Sequence, residues 1–171
     1  MFASVDVGYH DSAAKAACVT FNDWIDACST NEYVVDIDAV EPYVPGQFYR
    51  RELPCVMSVL DKLSTSPRVI VIDGYVWLDE SRKGLGVHLY EALKDAIPII
   101  GVAKTRFATA ANAAEIYRGS SGRPLLITSV GMDQDEAADC IRRMHGANRI
   151  PTLLKRVDQL SRSEGTELTS E

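Results

Sequence analysis

At 171 residues, with 46% hydrophobic and 25% charged residues, the chain has the composition of one soluble globular domain with a single sizeable core. Its formal net charge of −6 excludes a protein whose whole surface draws in a polyanion, so nucleic-acid binding would need a local basic surface. No apolar run approaches the ~20 residues that span a bilayer, the N-terminus lacks a signal peptide's basic and apolar regions, and the widely spaced Cys18, Cys28, Cys55 and Cys140 fit reduced thiols in a cytoplasmic protein.

Residues 3–9 and 15–22 read as strands joined by the polar turn His10-Asp11-Ser12, and Glu32 to Ile37 adds a third, so an antiparallel meander opens the chain. In the first strand Val5, Val7 and Tyr9 alternate with Asp6, and an aspartate inside such a strand is out of place in an ordinary core. Trp24 and Ile25 fall between strands and belong to no assigned element. Pro42-Tyr43-Val44-Pro45-Gly46 is too proline-rich for a ladder strand and makes a rigid turn. A helix follows through Arg50-Arg51-Glu52, with Pro54 in its first turn. Glu52 stands at its mouth, in line with Val56, Val59, Leu60 and Leu63 rather than on the wet face. Ser64-Thr65-Ser66-Pro67 breaks the helix, and the unbroken apolar run from Val69 to Ile72 predicts a strand covered on both faces and ending in Asp73.

Residues 74–84 then form a long loop at that strand's carboxyl end, the edge at which open α/β sheets carry functional loops. Leu85, Leu89, Ala92, Leu93 and Ala96 mark a second amphipathic helix, with His88 beside the stripe. Pro98 to Val102 is the next strand and delivers Lys104 at its end. Residues 105–123 read as a loop or short hairpin, and Leu125 to Ser129 as the fifth main strand. Asp133 and Glu136 resemble a capping box for a helix carrying Ala137, Ile141 and Met144 on one face, with Arg142-Arg143 matching the macrodipole and Gly146 as its stop. Pro151 to Leu160 is a final short helix. Ser161–Glu171 is expected to be a disordered polar tail, leaving 1–160 as a single domain.

Asp6, Glu52 and Asp73, from two strands and a helix mouth, converge on one rim of the sheet. Three such carboxylates repel one another without a cation to share, and oxygen ligands of this kind suit Mg²⁺ or Mn²⁺. Lys104 faces the same rim, either as part of the site or as a solvated strand-end lysine. Arg50, Arg51, Lys104, Arg106, Arg142, Arg143, Arg149, Lys155 and Arg156 supply either a local phosphate-binding surface or a scatter of solubilising charges.

Val5-Asp6-Val7-Gly8-Tyr9, the Pro42–Gly46 turn with Glu52 spaced behind it, Ile72-Asp73-Gly74, the isolated Ile100–Lys104 segment and Arg149-Ile150-Pro151 with Asp158 resemble the endonuclease V family. The likeness runs from roughly Ala3 to Asp158, and the intervals from Asp6 to Glu52 and from Glu52 to Asp73 agree with the family pattern. The element order read from the residues, three antiparallel strands and then helix–strand units, agrees with the α/β, ribonuclease H-like mixed sheet that the resemblance implies. By the same resemblance the chain is a metal-dependent endonuclease acting near deaminated (inosine-like) or distorted sites in DNA or RNA. Asp6, Glu52 and Asp73 would hold Mg²⁺ or Mn²⁺, and Lys104 the scissile phosphate or the attacking water. Pro42, Tyr43, Val44 and Pro45 would form a wedge that enters the duplex, unless Tyr43 is only a turn tyrosine packed on its prolines. Gly46, Gly74 and Gly84 would line the base pocket, and Arg51 would either contact nucleic acid or pair with nearby acids.

The chain also departs from that pattern. The family's His-Gly after the second aspartate, and its later His-Pro, stand here as Tyr75-Val76 and Asp79-Glu80. The distal Gly-His appears as Gly131-Met132, whose thioether is a poor ligand for a hard cation. Asp79 or Asp133 is available as a stand-in, although a helix N-cap already explains Asp133. Bulk at Tyr75, Val76 and Trp77 either fills the base pocket or floors it with aromatic surface, and predicts a weakened or altered preference for inosine. The alternative is a divergent relative that binds or cuts other nucleic-acid structures, or that only binds. An interaction domain with purely structural acids is disfavoured by the repulsion within the triad. Neither the choice between DNA and RNA nor the oligomeric state is set by the sequence.

Overall fold

In the computed structural model, which describes every residue except Tyr43, Asp95, 108–111 and 164–171, the opening meander forms as β1 (Phe2–His10), β2 (Ala13–Phe21) and β3 (Asn31–Ile37), paired antiparallel. The chain continues through α1 (Phe48–Leu60), β4 (Ile70–Asp73), α2 (Leu85–Ala92) and β5 (Ile99–Ala103). It ends in β6 (Ala114–Ile116), β7 (Leu125–Val130), α3 (Gln134–Arg143) and α4 (Thr152–Arg162). One sheet runs β3-β2-β1-β4-β5-β7-β6, with β4 parallel to both β1 and β5 and β7 antiparallel to β5. Parallel neighbours need crossovers, and α1 and α2 supply them.

Alternation along the central strands divides the apolar residues into two cores. Val71, Ile100 and Val102 join Phe21, Ile141, Leu153 and Val157 under α3 and α4. Ile70, Ile72 and Ile99 join Val5, Val56, Val59 and Leu89 under α1 and α2. The apolar run ending at Ile72 is thus buried on both faces, as its lack of alternation predicts. Trp24, which no sequence pattern placed, is buried with its ring 4.6 Å from Phe2 and 5.5 Å from Phe21.

Three expectations are corrected, and the choice between a loop and a short hairpin over residues 105–123 is decided for the hairpin. The first helix begins at Phe48, so Glu52 lies one turn inside it rather than at its mouth. Pro54 accordingly sits in the helix interior, where it lacks the N–H that would bond back to Arg50. Within residues 105–123, Ala114–Ile116 is an edge strand against β7. The last helix runs on to Arg162, so Ser161 is a fully buried helical residue and not the start of a tail; residues 164–171 lie outside the described part.

Candidate active site

Strand register sets the site. The parallel ladder pairs Val5 with Ile72, which brings Asp6 level with Asp73 at the carboxyl ends of adjacent strands. Asp73 in turn pairs with Val102, two residues before Lys104. Glu52 reaches the same edge from α1. Asp6, Gly8, Tyr9, Phe48, Glu52 and Asp73 line one cleft. A second hollow beside it is walled by Asp73, Lys104 and Asp158, with Ile150 and Leu154 behind.

Charge in the cleft is unbalanced. Lys104 Nζ donates to Asp73 Oδ2 at 2.6 Å and lies 3.7 Å from Asp158 Oδ1, so one ammonium serves two acids. Burial pulls the lysine's proton affinity down, but the hydrogen bond and charge of Asp73, backed by Asp158 and Asp6, outweigh it and hold the pKa above its ordinary value. Glu52 is only 7% exposed. Burial, then the charges of Asp6 and Asp73, push its pKa up to about 8. Asp6 is also raised, by burial first, although the hydrogen bond from Ser161 works downward against it. Arg162 Nη2 lies 2.9 Å from Asp158 on the outer side.

Of two further residues of this site, the sequence singles out Asp158 without giving it a role and does not single out Ser161 at all. Asp158 and Ser161 lie three apart on α4 and both reach the cleft. The signal was present: Ser161 continues the spacing of Leu154 and Val157, and a small hydroxyl can extend an apolar stripe.

The remaining expected residues divide. Val44 is exposed at the turn, between exposed Pro42 and Pro45; Tyr43 lies outside the described residues. Gly46 and Gly74 take φ of +77° and +116°, with open space where a Cβ would stand, so backbone is accessible at both. Gly84 is different: a Cβ there would meet the Tyr75 carbonyl oxygen at 2.5 Å, so this glycine lets the loop close on itself and leaves no open backbone for a base. Arg51 lays its guanidinium 4.0 Å over the Tyr9 ring, with its Nε buried and unpartnered.

Val76 is fully buried and its N–H donates to Thr128 Oγ1 at 2.9 Å, so its side chain fills core and not a base pocket. Tyr75 instead bridges loops: its hydroxyl donates to the Thr105 carbonyl at 2.8 Å and accepts from Phe107 N–H at 3.0 Å. Neither proposed stand-in acid is available. Asp79 caps its own turn through the N–H groups of Ser81 and Arg82, and Asp133 caps α3 through those of Asp135 and Glu136. His88 stacks on Tyr49, with ring centroids 3.6 Å apart. Much of the expected basic surface is spoken for. Arg106 pairs with Glu115, Arg142 with Asp139 and Arg156 with Glu32, while Arg149 turns inward to the carbonyls of Lys104 and Pro124.

Among the described residues, no three His, Cys, Asp or Glu side chains stand as a ready coordination group. The donor chemistry nevertheless fits a hard divalent cation: Asp6, Glu52, Asp73 and Asp158 are all carboxylates, and the buried Glu52 is raised by every influence acting on it. Lys104 lies on Asp73, where it offsets part of that negative charge. No helix among the described residues is long and apolar enough to cross a membrane.

Residues 1–150 match the family model described as Endonuclease V. A protein of Streptomyces avermitilis named Endonuclease V is 34% identical over 192 aligned positions, covering 97% of this chain and 81% of its own length. The crystal structure of Endonuclease V from Streptomyces avermitilis superposes with a TM-score of 0.75 at 29% identity, over 94% of this chain and 79% of that one. That of Ciona intestinalis Endonuclease V in complex with a 23mer DNA containing an inosine followed by a ribo-adenosine gives a TM-score of 0.77 at 18% identity, over 94% and 83%, a likeness of fold. The seven-stranded sheet with helices on both faces is the ribonuclease H-like fold shared with these structures.

Proposed function

Because the chain belongs to the endonuclease V family, a family of nucleases, we propose that it hydrolyses a phosphodiester bond of DNA or RNA beside a deaminated, inosine-like or otherwise distorted site, with Mg²⁺ or Mn²⁺ as cofactor. The observation that supports this reading is the single cleft lined by Asp6, Glu52 and Asp73, with Lys104 hydrogen-bonded to Asp73. Asp6, Glu52, Asp73 and Asp158 would hold the ion, which would acidify an attacking water and neutralise charge at phosphorus.

The protein's own groups account for the rest. Lys104, held charged by Asp73 and Asp158, offers a fixed positive point at the sheet edge for a phosphate oxygen. Glu52, raised to about 8 by burial and by the charges of Asp6 and Asp73 while no cation is bound, would lose its proton as it ligates the ion, so cation affinity should rise with pH. The open backbone at Gly46 and Gly74 lets a displaced base approach without meeting a Cβ. The exposed Val44 beside two prolines provides a stiff apolar edge to fill the gap such a base leaves in the stack.

A broader substrate range is favoured by one observation: Tyr75 ties two loops together where the family carries a histidine, so hydrogen bonding to the base edge is the part most altered. The experiment is Mn²⁺- and Mg²⁺-dependent cleavage of labelled inosine-containing DNA and RNA against undamaged, mismatched, flap and single-stranded controls. Cleavage of inosine substrates alone excludes the broader range, and no metal-dependent cleavage of any substrate removes the nuclease reading.

A further inference from the structure

We propose that Ser161 is the positioning residue of Asp6, reserving one carboxylate oxygen and fixing the direction in which the other meets a divalent cation; this rests on the metal-dependent reading above. Ser161 is fully buried in the last turn of α4. Its Oγ stands 2.5 Å from Asp6 Oδ2 and 2.9 Å from the Asp158 carbonyl oxygen. A hydroxyl carries one proton, and a carboxylate is the stronger acceptor, so the donation goes to Asp6.

The seat of that serine is built from the strand side. A Cβ at Gly8 would lie 2.2 Å from the Ser161 carbonyl oxygen, so β1 and α4 touch backbone to backbone two residues beyond Asp6. Lys15, the cross-strand partner of Gly8, is itself buried and donates its Nζ to the Ser163 carbonyl at 2.7 Å, with Asp36 at 3.4 Å behind it. An ammonium on the final carbonyls of a helix holds that end in place. The last turn of α4 is thus gripped by the Gly8–Lys15 pair, which fixes the backbone that carries the hydroxyl, while Asp6 and the Asp158 carbonyl hold the hydroxyl itself.

The consequence concerns the metal-facing oxygen. With one lone pair of Oδ2 held by Ser161, the Asp6 carboxylate plane is fixed, and Oδ1 would be the oxygen left free for a cation. Partners of this kind set the direction and basicity of a ligand, and their removal weakens metal binding about 10–100-fold. Helix α4 therefore serves the site twice, sending Asp158 to Lys104 and Ser161 to Asp6.

The test is Mn²⁺ titration of the substrate-free protein, following the electron paramagnetic resonance signal of free Mn²⁺, for the native protein, Ser161→Ala and Ser161→Thr. Melting of the metal-free proteins runs alongside. Alanine suits a buried helical position, so Ser161→Ala still folds, with a metal-free melting midpoint lowered modestly by the lost hydrogen bond, while its Mn²⁺ affinity falls about tenfold or more. Ser161→Thr retains the hydroxyl and stays within about threefold of the native protein. With saturating Mn²⁺, Ser161→Ala loses kcat on an oligonucleotide with KM unchanged. Equal Mn²⁺ affinity in native and Ser161→Ala proteins overturns the proposal alone, as does a Ser161→Thr protein as weak as Ser161→Ala. A native protein that binds no Mn²⁺ removes the metal reading and the proposal together.

Discussion

Two clusters of charge in this molecule invite comparison. Arg118, 7% exposed, makes no ion pair among the described residues and donates to the carbonyls of Asn148 (3.0 Å), Gly146 (3.1 Å), Arg149 (3.3 Å) and Met144. Burial lowers its pKa, yet its donors converge on the turn between α3 and α4. At the sheet edge stand four acids, Asp6, Glu52, Asp73 and Asp158, with Lys104 on Asp73, Ser161 on Asp6 and Arg162 on the outer side of Asp158. The first cluster is a satisfied cation whose work is to fold a loop. The second leaves like charges facing one another, which only a further cation or proton relieves. The fold alone accounts for a charge whose hydrogen bonds are satisfied, whereas facing acids call for a partner, which is why the second cluster is the candidate site.

The largest effect should come from the acid cluster. Asp6→Asn or Asp73→Asn is expected to lower cleavage at least ~10³-fold, about 4 kcal/mol in the barrier. The metal-free protein should melt no lower, since a like charge has been removed. Oligonucleotide cleavage and thermal melting together check this, and a variant that loses activity only by unfolding would place the acids among the structural groups. Arg118→Leu should do the opposite. Leaving its carbonyls unpartnered is expected to cost about 3 kcal/mol in urea denaturation, with cleavage per folded molecule kept.

Glu52 gives a smaller and pH-dependent effect. Its folded pKa of about 8 lies above the unfolded value, so the native state binds the proton more tightly. Its contribution to stability is full below the unfolded carboxylate range and is lost as pH rises toward about 8. Chelator-treated native protein should therefore weaken across that window. Glu52→Gln should flatten the profile and gain on the order of 1–3 kcal/mol at the alkaline end. Parallel urea curves of the two proteins at several pH values test the sign.

What the sequence disclosed follows the range of the interactions. The two-faced strand ending at Asp73 and the Asp133 cap were legible because both are local patterns. The start of α1 was not, because Gln47 makes no side-chain cap and the helix begins before its apolar stripe. Strand β6 has only three residues and exists through pairing with β7, which no local propensity announces. Asp6, Glu52 and Asp73 were legible as misplaced polar residues, whereas Ser161 looked like the first residue of a polar tail. Its partner Asp6 is 155 positions away, and the Lys15 that holds its helix end is 148 from Ser163. Val76 was misread for the same reason: a valine in a loop sequence turned out to be core, pinned by a threonine from β7.

The smallest expected effect lies on the rim between the two clusters, at Tyr75. Its hydroxyl accepts from Phe107 and donates to Thr105, which binds the loop after β5 to the loop after β4. The backbone at Lys104 is held from the other side by Arg149, whose guanidinium donates to the Lys104 carbonyl. Tyr75→Phe keeps the ring, which packs 6.3 Å from Phe107, and removes only the two hydrogen bonds. Both are at the surface, where water substitutes for much of what is lost, so global stability should change by no more than about 1 kcal/mol. Local order should change more. Amide exchange at Thr105, Arg106 and Phe107 should quicken while that of β5 holds, and KM should rise a few-fold with kcat nearly kept, because Lys104 remains fixed by Arg149 and Asp73. Tyr75→His, which restores the family's residue, should lose the same tether. If it instead sharpens the preference for inosine over mismatched substrates, Tyr75 is where this chain exchanged base reading for loop rigidity; if Tyr75→Phe leaves exchange at residues 105–107 unchanged, the tether has no role.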